Sequence, residues 1–415
     1  MAEINVLPLR QRAEVLREVL VERLETVLPA AMRAAGIDLW LVLGQEDDYD
    51  PLFRGLMPMD TWAPILQVLV FHDTGDAFER INLSMTRTGG IYEAPWKGRD
   101  EAEQWAMLAE GVRERDPKRI GINTGRVQWA AGGLTHNLYE QLVAAIGEEY
   151  AGRLVSAEDL VAKWAATLSA KEVEVYEDVV GIAHTLLAEC FSRKAIEPGV
   201  TTATDVEWYY WQRAADLGLE VSFKPFFDIV RAPAEKEKQG PEDAIIRPGD
   251  VIHSDVGVRY LGLCSDHQQL AYVVREGETE APKGLRDLHA QAQKLQKLFM
   301  GEFEEGLSGN EMLGRILARA RDEGIPGAKV YSHSLGHFLH EPGPLIGLPW
   351  EQERCEGRGE VRLGENMSFT MELCVRGPIA EWDGEEVTLS VEEDVVFSGG
   401  ACRPIGGTQT EMYLI

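Results

Sequence analysis

The chain has 415 residues, of which 45% are hydrophobic and 27% are charged. This length and composition predict two domains or three, and they exclude a single small module and global disorder. Lys and Arg number 41 and Asp and Glu number 69, so the net charge is −28. Because this excess repels phosphate backbones and anionic bilayers, we expect no nucleic-acid partner and no membrane partner. The same excess favours binding of a cation.

The sequence shows no signal for export, for membrane insertion or for disulfide bonding. No run approaches the roughly 18 apolar residues of a membrane span, and the first residues lack the basic start and apolar core of a secretory signal. We therefore expect a cytoplasmic protein. The five cysteines are an odd number without CxxC spacing, which argues against a disulfide framework and against a thiolate zinc site.

Helical and strand patterns alternate in the first part of the chain. Residues 9–35 carry apolar residues at helical spacing, and Gly36 ends this pattern before the buried strand IDLWLVLG. Further strands are predicted at 66–71 and 119–122, and further helices at 101–114 and 138–146. This alternation predicts an α/β domain over residues 1–165.

A second domain is predicted over residues 166–415. Helical patterns at 169–194 and 202–217 open it, and from Val251 onward the pattern changes to strands and turns. Two helical segments, 285–303 and 310–323, interrupt these strands.

The segment from Val251 to Val273 has the pattern of a hairpin with its turn near Leu261. The midpoint between Asp255 and Asp266 falls in this turn, so we expect the two carboxylates to be direct cross-strand partners about 5 Å apart. Opposed like charges destabilise a sheet unless they share a proton or bind a cation. The alternative is a slipped register with two separate surface aspartates.

Three of the nine histidines, His333, His337 and His340, fall within eight residues. Their spacing is that of one helix face, but the glycines and the proline around them favour a loop or a strand end. A single histidine is more often a satisfied core or surface residue, whereas this clustering favours a functional role.

Two glutamates complete the set of candidate ligands. Glu372 belongs to the polar face of an alternating strand that begins near Met367. Between Val387 and Phe397 the alternating apolar positions are interrupted at Glu393, which predicts a buried carboxylate that is paired or binds a metal. Its neighbours Glu392 and Asp394 are expected to be solvated. The alternative is a twisted edge strand with an exposed Glu393.

Together, the candidate ligands are four carboxylates and one imidazole: Asp255, Asp266, His333, Glu372 and Glu393. Hard oxygen donors with one nitrogen suit Mn²⁺, Co²⁺ or Zn²⁺, and four carboxylates can neutralise two divalent ions. Such a pair of ions can lower the pKa of a water and polarise a carbonyl.

In order and spacing, these motifs resemble the creatinase, aminopeptidase P and prolidase superfamily of pita-bread metallohydrolases. The resemblance implies an α+β fold, with a pita-bread catalytic domain preceded by a creatinase-type α/β N-terminal domain. It also implies that His333 binds a metal, that His340 hydrogen-bonds the scissile carbonyl, and that Glu372 both binds metal and shuttles a proton. For His337 it leaves two roles open, substrate contact and support of the loop.

The sequence is a divergent member of this superfamily. The histidine that usually precedes the hairpin is missing, Leu373 and Cys374 follow the glutamate of the strand, and Val391 replaces a frequent arginine. Arg231 and Arg376 are candidate substrate carboxylate clamps, because a guanidinium matches that geometry with two bonds. The alternative for each is a surface arginine.

The resemblance implies a metallopeptidase that removes terminal residues from short peptides, of the Xaa-Pro aminopeptidase or prolidase type. We expect two divalent ions per protomer, with Mn²⁺ first and Co²⁺ or Zn²⁺ as alternatives, and a homodimer. The acidic balance favours recognition of the substrate's amino end. The alternatives are a carboxypeptidase-like enzyme that recognises the carboxylate, a hydrolase or lyase acting on a small non-peptide molecule, and a binding protein descended from the fold.

Overall fold

The computed structural model describes residues 4–98, 100–240 and 243–415. They form two compact units, one of Pro8–Lys171 and the other of residues 4–7 with Glu172–Ile415. Among the described residues, no helix is long and apolar enough to cross a membrane. All five cysteines are free thiols.

The first unit is built on one mixed sheet with helices around it. Its helices are α1 (Leu9–Glu25), α2 (Val27–Ala35), α3 (Phe53–Leu56), α4 (Glu101–Arg115), α5 (His136–Ala151) and α6 (Glu158–Ala166). Its strands are β1 (Leu39–Gly44), β2 (Gln67–Asp73), β3 (Phe78–Asn82), β4 (Ile120–Ile122) and β5 (Leu154–Ser156), in the order β3-β2-β1-β4-β5. β1 is antiparallel to β2 and parallel to β4.

Local signals fix the ends of two helices in the first unit. Gly36 ends α2 in the left-handed conformation, with φ 62°, and Asp100 caps α4 by accepting a hydrogen bond from the backbone N–H of Ala102. Every residue of β1 is buried, because β1 is the central strand. The single helix expected over 9–35 is two helices that meet at Thr26.

The second unit is rich in strands. Its helices are α7 (Ala170–Cys190), α8 (Ala203–Asp216), α9 (Pro233–Gln239), α10 (Lys283–Gly301) and α11 (Gly309–Asp322). Its strands are β6 (Glu220–Val221), β7 (Phe226–Val230), β8 (Val251–Asp255), β9 (Val258–Tyr260), β10 (Leu263–Cys264), β11 (Leu270–Tyr272), β12 (Lys329–Leu335), β13 (Leu345–Ile346), β14 (Met367–Thr370), β15 (Glu372–Ile379), β16 (Glu385–Val391), β17 (Asp394–Ser398), β18 (Ala401–Pro404) and β19 (Tyr413–Leu414).

Three sheets organise these strands. The largest has the order β16-β15-β12-β14-β17-β18, with β13 paired to β12. The others have the orders β19-β11-β8-β7 and β10-β9-β6. The apolar face of α10, which includes Leu288 and Phe299, packs on β15, β16 and β18. The strands that carry the predicted ligands are therefore backed by a packed core.

Candidate metal centre

The hairpin that carries the two aspartates is present, but its register differs from the prediction. Leu261 and Gly262 form the turn with φ of 49° and 80°, the signature of a two-residue primed turn. The pairs His253–Leu270 and Val256–His267 place Gln268 opposite Asp255. Asp266 is therefore a diagonal neighbour of Asp255, and the prediction of direct opposition is wrong by two residues. A shift of two residues keeps both carboxylates on one face, so they still meet.

Two further strand pairs bring two glutamates close to the aspartates of the hairpin. β15 and β16 pair Leu373 with Val391, and β14 and β17 pair Thr370 with Asp394. Between these pairs the register sets Glu372 opposite Glu392. Two carboxylates in this arrangement have the geometry of a cross-strand pair and repel each other.

His333 lies on β12, close to this group of acids. Its Nε2 is 3.8 Å from Oδ2 of Asp266, and the residue is 1% exposed. Nδ1 lies 3.1 Å from the carbonyl oxygen of Ser334, a contact that fixes the proton on Nδ1 and leaves the Nε2 lone pair toward the acids. Burial and the neighbouring His340 lower the pKa of His333 to about 3, so its imidazole is neutral and able to bind a metal.

The four carboxylates form one electrostatic cluster. Burial raises the pKa of each: Asp255 reaches about 6, Glu372 about 7, and Asp266 and Glu392 lie well above their usual ranges. Repulsion from other acids of the cluster adds to the shifts of Asp266, Glu372 and Glu392. Oδ1 of Asp266 and Oε1 of Glu392 are buried without a hydrogen-bond partner. Oxygens left unpaired in this way are the donors that a divalent cation requires, so the residues fit a metal.

Polar side chains around the cluster hold its members in place. Gln268 donates from Nε2 to Oε2 of Glu392 over 2.8 Å, and its Oε1 lies 2.9 Å from Nε2 of His253. Nδ1 of His253 lies 2.6 Å from Oδ1 of Asp228. Burial opposes protonation of His253, but the contact with Asp228 prevails and raises its pKa. His253 therefore holds a proton more readily than a free imidazole does.

The predicted ligand Glu393 lies with a different group of side chains. Its Oε2 is 2.8 Å from Nε2 of His184 and 3.4 Å from Nδ1 of His267, whereas Glu392 groups with Asp266 and His333. Glu393 is buried as predicted, but Glu392, expected to be solvated, is also only 1% exposed. The structure thus places Glu392, rather than Glu393, among the acids of the hairpin, which corrects the ligand assignment.

The two other loop histidines have different surroundings. The His340 ring lies 4.5 Å from the ring of His333, centroid to centroid, and its Nε2 is 3.4 Å from the hydroxyl of Tyr331. His337 is bound instead to Glu172 in the first turn of α7, with Nε2 and Oε1 2.6 Å apart. Of the two roles left open for His337, the geometry favours support of the loop.

Neither predicted arginine lies in the cluster. Arg231 is buried and makes two hydrogen bonds to Asp250 and one to Asp243, so its guanidinium is committed to a structural network, and its prediction as a substrate clamp is wrong. Arg376 is exposed on β15, 3.6 Å from Glu386. It is four residues from Glu372, about 13 Å along the strand, and is therefore too far away to hold a group at the cluster.

A third arginine, which the sequence reasoning missed, lies beside the histidines. Arg358 donates from Nη2 to the carbonyl oxygen of Glu341, and its charge contributes to the lowered pKa of His340 and of His333. No local motif marks Arg358, which begins a short 3₁₀ helix, Arg358–Glu360. Gln268 and Glu392 could have been found by extending each strand register from its turn.

Comparison with known proteins now assigns the family. Residues 174–398, more than half of the chain, match the sequence pattern of metallopeptidase family M24. The chain belongs to this family. It is accordingly a metal-dependent peptidase, and the resemblance derived from the motifs is confirmed.

Solved structures of similar fold cover almost the whole chain. The X-Pro aminopeptidase of Thermotoga maritima MSB8 superposes with a TM-score of 0.63 at 17% identity, over 93% of this chain and 100% of that chain. The Xaa-Pro dipeptidase of Bacillus anthracis gives a TM-score of 0.60 at 17% identity, over 96% and 100%. Among curated proteins, the uncharacterized peptidase YqhT of Bacillus subtilis (strain 168) is 22% identical over 316 residues, 74% of this chain and 78% of that protein. The predicted pita-bread fold is confirmed.

Proposed function

We propose that this M24 peptidase hydrolyses short peptides at bonds to proline, with two divalent ions held by Asp255, Asp266, His333, Glu372 and Glu392. The observation that carries the proposal is the cluster itself: four carboxylates whose pKa values are raised by burial, around two unpartnered buried oxygens. The four negative charges of these carboxylates balance the four positive charges of two divalent ions. Because four of the five proposed ligands are carboxylates, the site favours Mn²⁺ over Zn²⁺.

The chain's own residues then have distinct tasks. Divalent ions, when bound, lower the pKa of water and polarise a carbonyl. His340 donates a hydrogen bond to the scissile carbonyl oxygen, since it is the exposed imidazole next to His333. Glu372 accepts the proton of the attacking water on its carboxylate and passes it to the leaving nitrogen. Gln268 keeps Glu392 oriented throughout.

A second candidate, a dipeptidase that recognises the substrate's free carboxylate, is favoured by Arg358. Its guanidinium is close enough to Tyr331, His333 and His340 to contribute to the pKa of each. A guanidinium binds a carboxylate through two parallel hydrogen bonds. The acidic composition favours recognition of the amino end instead, so the two readings make opposite predictions for peptides with blocked termini.

Product analysis by mass spectrometry tests the proposal. Metal-free protein is given Mn²⁺, Co²⁺ or Zn²⁺ separately, together with Xaa-Pro peptides of two to five residues. We expect cleavage at the proline bond with Mn²⁺, and failure with all three metals would refute the assignment. Internal cleavage of a long peptide blocked at both ends would refute the exopeptidase class.

Peptides with altered ends separate the two readings. If Arg358 holds the carboxylate, C-terminal amidation and Arg358→Met should each raise KM by about 10- to 100-fold, the effect of losing a charged hydrogen bond. Arg358→Lys should recover part of this loss, and Arg376→Met should change KM little. If N-acetylation alone abolishes cleavage, the amino end is recognised.

The homodimer, the cytoplasmic location and the creatinase-type character of residues 1–165 stay predictions. We propose the dimer from the two-domain arrangement alone. Light scattering that reports a monomer at micromolar concentration would refute it.

A further inference from the structure

A second group of metal-binding side chains lies next to the first in sequence, but its members come from different elements. His184 lies on α7, His267 lies between β10 and β11, and Glu393 lies between β16 and β17. One ligand atom from each lies within 4.8 Å of the other two. The rings of His184 and His267 are 4.5 Å apart between centroids.

His267 is the member whose surroundings are incomplete. It is 0% exposed, and neither of its ring nitrogens makes a hydrogen bond. Nδ1 is 3.4 Å from Oε2 of Glu393, and Nε2 is 3.5 Å from Oδ2 of Asp394. Buried polar groups without a partner are uncommon in folded proteins, so this imidazole indicates a missing ligand.

We propose that His184, His267 and Glu393 bind one Zn²⁺ ion, at a site separate from the carboxylate cluster. Two imidazoles and one carboxylate are a ligand set typical of zinc sites with three protein ligands, in which the fourth position is left to water. His184 has a side chain that is 19% exposed, which gives the ion a path from solvent.

One of the two separations at Glu393 is that expected for a tetrahedral ion. Two ligand atoms about 2.1 Å from such an ion are about 3.4 Å apart. Nδ1 of His267 is 3.4 Å from Oε2 of Glu393, whereas Nε2 of His184 is 2.8 Å from the same oxygen and would have to move outward by about 0.6 Å to admit the ion. Asp394 lies behind His267, as the carboxylate does in a carboxylate–histidine–zinc arrangement.

The contacts of Glu393 show which of its oxygens faces the two imidazoles. Oε2 lies 2.8 Å from Nε2 of His184 and 3.4 Å from Nδ1 of His267. The remaining oxygen of Glu393 is occupied, because Oε1 accepts from Nε2 of Gln269 and from the backbone N–H of Gln409. This leaves Oε2 for the ion.

The position of this site gives it a role in the enzyme. His267 follows Asp266, and Glu393 follows Glu392, so successive side chains point to opposite sides of the same two segments. An ion that joins His267 and Glu393 to α7 fixes the backbone from which Asp266 and Glu392 project. The zinc therefore positions ligands of the carboxylate cluster without touching substrate.

Metal analysis of a variant without the carboxylate cluster tests the proposal. Asp266→Asn with Glu392→Gln removes two of the five cluster ligands and leaves the zinc ligands intact. The metal-free variant is given Zn²⁺ alone, and its bound zinc is counted after exhaustive dialysis. We expect one zinc ion per chain, and we expect adding His184→Gln to weaken binding by more than about 100-fold. As a matched control, adding His72→Gln should leave zinc binding unchanged. His72 also contacts a glutamate, Glu79 at 2.9 Å, but forms no such group with the residues that the structure describes.

A folded double variant that binds no zinc would overturn the proposal, as would zinc binding that His184→Gln and His267→Asn leave unchanged. If the double variant does not fold, the single variant His184→Gln in otherwise natural protein serves instead. Loaded with Co²⁺, the natural protein should show the intense visible bands of a four-coordinate ion, and His184→Gln should lose them. Retention of the bands would refute the site.

Discussion

Two clusters lie on opposite sides of the same two segments, and they handle buried charge in opposite ways. On one side, Asp266 and Glu392 join two further acids, and burial together with repulsion from acids of this cluster raises the pKa of both. On the other side, His267 and Glu393 join His184, and the pKa of the glutamate falls to about 2. The first cluster needs added positive charge, whereas the second carries its own nitrogen donors.

The difference follows from strand geometry together with the neighbouring elements. Alternation sends adjacent residues to opposite sides, where they meet different partners: β8, β12 and β15 on one side and α7 on the other. Residues adjacent in sequence therefore belong to two separate groups of candidate metal ligands. The difference between the two clusters can be tested by substituting residues of each cluster separately.

The largest effect is expected from Asp266→Asn. The change removes a carboxylate that lies at the centre of the acid cluster, so kcat/KM should fall by at least about 1,000-fold with loss of metal from that cluster. Elemental analysis with steady-state kinetics measures both. Full activity with only trace metal would contradict the assignment. Asp50→Asn, a buried acid in the other unit, is the control.

Glu392→Gln and Glu393→Gln should differ sharply although the residues are adjacent. Glu392→Gln removes a metal ligand and should lower kcat/KM by about 100- to 1,000-fold. Glu393→Gln acts only through position, for which we expect a loss of about 10-fold or less. Steady-state kinetics at saturating Mn²⁺ measure both losses. A larger loss for Glu393→Gln than for Glu392→Gln would restore Glu393 as the ligand of the acid cluster.

A smaller and matched contrast is available in Gln268 and Gln269. Each donates from Nε2 to one glutamate over 2.8 Å, Gln268 to Glu392 and Gln269 to Glu393. Gln268→Leu should lower the affinity for activating Mn²⁺ by about 10-fold, because it frees a ligand of the acid cluster. Gln269→Leu should lower the melting temperature and leave that affinity within about 3-fold. Equal effects on affinity would argue against two separate clusters.

Asp50 of the first unit is a reference for a buried acid held by neutral donors. It accepts from Nδ2 of Asn123 over 2.7 Å and from the backbone N–H of Leu52 over 2.9 Å, and burial raises its pKa from 3.8 to about 6. The folded state therefore binds this proton more tightly than the unfolded state. Its contribution to stability decreases as the pH rises from about 4 to about 6, by up to about 3 kcal/mol.

Urea unfolding at several pH values measures this smallest effect. The free energy of unfolding of the natural protein should fall relative to that of Asp50→Asn over this pH range. Parallel pH profiles for the two proteins would show that Asp50 is protonated equally in both states.

Much of the fold and the site could be predicted from the sequence. The alternating elements of the first unit, the hairpin and the order of Asp255, Asp266, His333 and Glu372 are local patterns. They are readable because strand and helix periods place side chains on faces irrespective of the rest of the chain. The spacing of His333 and His340 belongs to the same class of signal.

The remaining features required the tertiary structure. Whether Glu392 or Glu393 joins the acids depends on the phase of one strand, and a shift of one residue exchanges the two sides. The pairing of His184 with Glu393 spans 209 residues, and Arg231 proved to be structural because Asp243 and Asp250 surround it. The sequence alone determined which side chains could form the site, because the period of a helix or strand and the order of residues are local properties of the chain. Only the packing of distant elements decided their partners, because partners separated by many residues leave no pattern in the chain.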